Sequence, residues 1–159
     1  MHATREARLD IFLQQLINGL TLGSVVEGNS VEVLENRAFF DALIDEIRSA
    51  RRSVHFETFL WKEGALGSRL ADAFIARARA GVAVRILLDA TGTKKMGASI
   101  EEKLLLAGCQ LRKFHTWRLA NIGVLNERDH RKLAIVDGRV AFVGGHCIVD
   151  GWQAEPGTK

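Results

Sequence analysis

His130 and Lys132 stand two residues apart in the apolar run His130-Arg131-Lys132-Leu133-Ala134-Ile135-Val136. Residues two apart on a strand project to the same face, so an imidazole and an ammonium point the same way there. That pair suits attack on a phosphodiester: one group bonds phosphorus or moves a proton, and the other neutralises a phosphoryl oxygen. Arg131 points to the opposite face and is expected to pack or pair elsewhere. Asp137-Gly138 is a type I′ turn signal, so Leu133–Val136 and Val140–Val143 read as a hairpin. Asp137 has odd parity to His130 and occupies the turn, which gives it a supporting role in ordering the hairpin. Gly144 and Gly145 close the run, and glycine lets backbone N–H groups approach a phosphate closely.

The rest of the chain must position that pair. Val31–Leu34 reads as a short strand. Asn36 is the expected cap of a helix whose apolar face is Phe39, Phe40, Leu43, Ile44 and Ile47. Arg48, Arg51 and Arg52 fall in or just after its last turn, where cations suit the helix dipole. Ser53–Leu60 alternates Val54, Phe56, Thr58 and Leu60 as a half-buried strand. Leu66, Leu70, Phe74 and Ala78 mark a second helix that Gly81 stops. Val82–Leu88 is apolar except for Arg85, the pattern of a strand covered on both faces. A Gly/Lys loop from Thr91 to Gly97, a third helix over Ser99–Ala107 and a strand over Cys109–Phe114 complete the series. Strands separated by helices imply βαβ units and a largely parallel sheet, hence an α/β fold.

The His-x-Lys-x4-Asp spacing of His130, Lys132 and Asp137, with the trailing glycine pair, resembles the motif of the phospholipase D superfamily and its cardiolipin synthase branch. The stretches Phe39–Asp89 and Arg128–Gly145 carry the likeness, which extends from about Ser30 onward. It implies one phospholipase D-type repeat, a mixed, mostly parallel sheet flanked by helices. The division expected is an N-terminal amphipathic helix and linker over 1–29, the repeat over 30–153, and a tail over 154–159 where a linker or truncation begins. By resemblance His130, Lys132 and Asp137 form the catalytic motif, and Gly144, Gly145 and Glu57 contact substrate. Glu57 matches an acidic strand position; it could orient an imidazole, the supporting role of a triad carboxylate, or pair with an arginine. Cys147 stands where the family carries asparagine, whose carboxamide donates to a phosphoryl oxygen far better than a thiol.

The family works with two such motifs facing each other, and this chain has one. The implied activity is phosphatidyl transfer from a phosphatidylglycerol-like lipid through a phosphohistidine to an alcohol. A second motif would come from another repeat or a homodimer partner. Two other readings stay open: a homodimeric phosphodiesterase or nuclease, and an inert half. Nucleic acid is not the expected substrate, because the upstream sequence follows the lipid branch.

The chain has 159 residues, one domain by size, and a formal net charge of +3. That balance permits phosphate or anionic membrane contact without requiring it. No apolar run reaches the ~18 residues of a spanning helix. Leu9–Ile17 reads as an amphipathic helix, either packed on the domain or in peripheral membrane contact assisted by Arg5 and Arg8. The expected location is the cytoplasm, at the inner face of the membrane. Cys109 and Cys147 read as reduced thiols. Cys109, His115, His130, His146 and Cys147 match no zinc spacing, and the proposed chemistry needs no metal or other cofactor. A Walker loop and a Gly-x-Ser-x-Gly elbow are both absent.

Overall fold

The structure, a computed structural model, describes residues 13–20, 23, 26–114 and 128–153. The chain divides into two compact units, Met1–Val33 and Leu34–Lys159. In the first, residues 13–20 are helical. Residues 9–12 of the expected amphipathic helix, with Arg5, Arg8, His115 and the tail 154–159, lie outside the described residues. Val31–Leu34 is not a strand: Val31 and Val33 are 91% and 85% exposed, and no neighbouring strand pairs with them.

In the second unit the apolar stripe Phe40, Leu43, Ile44 and Ile47 is buried as α1, Asn36–Ser49. Asn36 does not cap it. Asn36 is the first helical residue, with φ 47°, and Glu35 takes the cap position without a side-chain bond. Asparagine tolerates left-handed backbone, so the chain turns into the helix at Asn36 itself. Then follow β1 (Ser53–Thr58), α2 (Ala65–Arg79), β2 (Ala83–Asp89), α3 (Ala98–Leu106) and β3 (Gln110–Phe114). The hairpin strands β4 (Lys132–Val136) and β5 (Val140–Val143) and a 3-10 turn, Asp150–Gln153, complete the unit. β1 ends two residues earlier than its alternation suggests. Leu60 leaves the sheet, and its carbonyl accepts the Ile148 N–H at 2.9 Å.

The five strands run in the order β3-β2-β1-β4-β5. β1, β2 and β3 are parallel, while β4 lies antiparallel to β1 and β5 antiparallel to β4. The fold is α/β with a mixed sheet, as the sequence pattern implies. Two crossovers of one hand in sequential strand order place their helices on one face, and α2 packs against both α1 and α3. Val54, Phe56, Thr58, Val84, Ile86, Leu88, Ala134 and Val136 are buried on that face.

The opposite face carries His55, Glu57, Arg85, Leu87, Arg112, Leu133 and Ile135, with His55, Arg85 and Arg112 exposed. Among the described residues, β2 is therefore covered on one face only. Its apolar run misleads because Ala83 and Leu87 are only half-buried and Arg85 reaches solvent. A cleft of about 510 Å³ lies there, lined in part by His55, Arg85, Leu105, Arg112 and Leu133.

Candidate active site

Antiparallel pairing sets Lys132 opposite Thr58, the last residue of β1. The pair thus stands at the edge where the parallel strands end and their loops gather, the usual place for chemistry in such sheets. The Lys132 ammonium donates to the His130 carbonyl at 2.6 Å and lies 3.0 Å from His130 Nδ1. An ammonium has no acceptor, so Nδ1 accepts, and the proton of a neutral imidazole then rests on Nε2. Phe59, just past β1, lies under both groups. Its ring centroid is 4.6 Å from that of His130, and Lys132 Nζ stands 5.3 Å above it. His130 is exposed and Lys132 half-buried.

The hairpin brings the glycines to the same edge. Gly144 N–H donates to the Lys132 carbonyl at 3.4 Å, and Gly144 and Gly145 are both exposed. The next residue, His146, stacks on Phe39 at 4.6 Å and meets Trp152 edge-on at 5.5 Å. Cys147 is buried.

Asp137 is not brought to His130. β4 separates them, and Lys132 and Asp137 lie five residues apart, about 17 Å in an extended strand. The turn has positive φ at Asp137 (55°) and Gly138 (67°) and a bond from Arg139 N–H to the Val136 carbonyl at 3.0 Å, as a type I′ turn requires. The Asp137 carboxylate accepts the backbone N–H groups of Arg51, Arg52 and Ser53 at 2.8–2.9 Å. Those three bonds hold its pKa down to about 2. Asp137 thus stands apart from His130 and Lys132, with which the motif groups it, and joins the hairpin to the end of α1.

Glu57 turns to Arg131, at 3.5 Å, and to the carboxyl of Asp129 rather than to an imidazole. Burial first, then the neighbouring Asp129, push the Glu57 carboxyl above its ordinary range, and Arg131 opposes this in part. Asp129 is 7% exposed, and its Oδ2 has no hydrogen-bond partner among the described residues. These groups share a cavity of about 440 Å³ with Leu87, Phe114, Arg128 and His130.

Three residues that sequence reading passed over support the site. Buried Asp89 accepts the N–H groups of Thr91 and Gly92 on one oxygen (2.9 and 2.8 Å) and that of Asp129 on the other (3.2 Å). It ties the loop after β2 to the residue before His130. Asp89 ends a parallel strand and Asp129 adjoins the histidine; those positions were the available signals. Phe59 left none, since an aromatic after a strand reads as core. Among the described residues no three His, Cys, Asp or Glu side chains are grouped to hold a metal ion.

Solved structures share this architecture. The chain superposes on the phospholipase D family member Nuc from Salmonella typhimurium with a TM-score of 0.54 at 19% identity, covering 71% of this chain and 66% of that one. NucT from Helicobacter pylori gives 0.57 at 22%, covering 79% and 78%. The fold is thus that of phospholipase D proteins. Residues 43–149 match the family model for the cardiolipin synthase, PLD-like domain. A cardiolipin synthase of Oceanobacillus iheyensis is 34% identical over 125 residues, 78% of this chain and 26% of the relative. Cardiolipin synthase A of Pseudomonas aeruginosa is 36% identical over 131 residues, 81% and 27%. This chain belongs to the PLD-like domain family of cardiolipin synthases. It spans about a quarter of the length of the relatives it matches.

Proposed function

We propose that the chain supplies one half of a phosphatidyltransferase site of the cardiolipin synthase type. The observation that carries this is the His130–Lys132 pair, assembled at the sheet edge in a domain of that family. The reaction needs two imidazoles with different tasks. A second His-Lys pair, from another repeat or another copy of the chain, supplies a bare Nε2 that attacks phosphorus. The P–O bond to the leaving alcohol breaks, His130 Nε2–H protonates that oxygen, and Lys132 passes a proton to Nδ1 so that the ring stays neutral. The resting bond from Lys132 to Nδ1 favours this role. In the second step the acceptor alcohol gives its proton to His130 Nε2, the Nδ1 proton returns to Lys132, the alcohol oxygen attacks phosphorus, and the P–N bond of the phosphohistidine breaks. Lys132 offsets charge on the phosphoryl oxygens from where it stands, with the donor direction left over from Nδ1 and the His130 carbonyl. Gly144 and Gly145 border the phosphate.

The substrate is a phosphatidylglycerol-like lipid. In the N-terminal unit Leu13, Leu16, Ile17 and Leu20 recur at helical spacing and are 43–76% exposed. That stripe supports peripheral contact with the inner face of a membrane. No helix among the described residues is long and apolar enough to cross one.

The test is phosphatidyl transfer in phosphatidylglycerol vesicles, with vesicle flotation alongside. His130→Ala should lower turnover by about 10²–10⁴-fold. Lys132→Ala should cost about 10²–10³-fold. A monomer without activity that neither substitution changes would establish the inert half instead. Cleavage of DNA, falling steeply with salt, would establish the nuclease reading.

A further inference from the structure

We propose that Phe59 is the positioning residue of this site. Its ring holds His130 and Lys132 in the one arrangement that keeps Nδ1 accepting from the ammonium and leaves Nε2–H facing outward. This deepens the reading above and rests on it, because the tautomer matters only if His130 moves a proton there.

The geometry is specific. The Lys132 ammonium has three donor directions. One goes to the His130 carbonyl at 2.6 Å and one to Nδ1 at 3.0 Å, while Nζ stands 5.3 Å over the Phe59 ring centroid. The negative face of an aromatic ring attracts a cation that lies within about 6 Å. The same ring meets the imidazole at 4.6 Å with an interplanar angle of 47°. Phe59 therefore touches both members of the pair, and a lysine with four rotatable bonds loses freedom it would otherwise keep.

Phe59 is itself braced. Gly92 packs so closely on it that a Cβ there would run into the Phe59 carbonyl oxygen. Asp89 fixes Gly92 by accepting its N–H at 2.8 Å and fixes Asp129, the residue before His130, at 3.2 Å. One buried carboxylate thus sets the height of the ring and the approach of the histidine together.

The experiment is a long-range proton–nitrogen correlation spectrum of the histidine rings in the 15N-labelled chain at pH 8. His130→Ala assigns the His130 signal among the five histidines. The wild-type ring should show the Nε2–H tautomer. Phe59→Leu, which keeps apolar bulk but removes the ring face, should lose that preference and give mixed tautomers. Phe59→Tyr should restore it. Lys132→Met should produce the same loss, and combining it with Phe59→Leu should add nothing further. Where Phe59→Leu fails to give a native circular dichroism spectrum, Phe59→Met takes its place. An unchanged His130 tautomer in a folded, ring-free variant overturns the proposal, whatever the transfer assay gives. A transfer assay indifferent to His130 removes the acid role and leaves the tautomer result standing, so the two failures are distinguishable.

Discussion

Asp137 and Glu57 are two motif carboxylates whose surroundings drive them in opposite directions. Three backbone N–H groups bond to ionised Asp137 and take its pKa from 3.8 to about 2. A depressed folded pKa gives stability that is present above the unfolded value and lost as pH falls through the folded one. Asp137→Asn should therefore be less stable than wild type at pH 7, and the difference should shrink between about pH 4 and 2 in denaturation curves. Glu57 is raised above its ordinary value by burial and Asp129, so the sign reverses. Wild type binds the proton more tightly when folded and loses stability as pH rises through that window. Glu57→Gln should lack this falling limb, and urea midpoints from pH 4.5 upward should show its relative stability increasing. The turn position of Asp137 was legible from the Asp-Gly pair. The partner of Glu57 was not, because Asp129 lies 72 positions away in the sequence and meets it only through the sheet.

Elements show the same division. The spacing of apolar residues located α1, α2 and α3 to within a residue or two, since each helix buries one stripe. Val31–Leu34 failed because β-branched residues make a strand only where another strand accepts their hydrogen bonds. The start of α2 depends on distance as well. Gly64 precedes it with no side-chain cap, and Asp150 fills that office by accepting the N–H groups of Ala65 and Leu66 at 3.0 and 2.9 Å. A Cβ on Gly64 would stand 2.5–2.8 Å from the Asp150 carboxylate. Gly64→Ala and Asp150→Ala should each lower the unfolding midpoint. Combined, they should lower it by less than the sum of the two, because both remove one interaction.

At the scale of the whole molecule, helices on a single face make one core and leave the other face as His55, Arg85 and Arg112 among leucines. Ile44 is fully buried in that core, so Ile44→Ala should cost about 2–5 kcal/mol by urea denaturation. The fold class was readable from the alternation of helix and strand. That only one face is covered was not, because Ala83 and Leu87 look as apolar in the sequence as residues of a buried strand.

The carboxylates of Asp137 and Asp150 reach back 84–86 positions to bond the amides of residues 51–53 and 65–66. This has a consequence for the order in which the protein is made. A ribosome releases the ends of α1 and α2 long before it adds the two aspartates that complete them. Until residues 132–136 emerge, β1 has no antiparallel neighbour, and until Asp150 emerges α2 begins with bare amides. Residues 51–53 and 65–66 must therefore wait for residues 137 and 150 before these contacts close. Mutations in the hairpin should act on the yield of folded protein as much as on its chemistry.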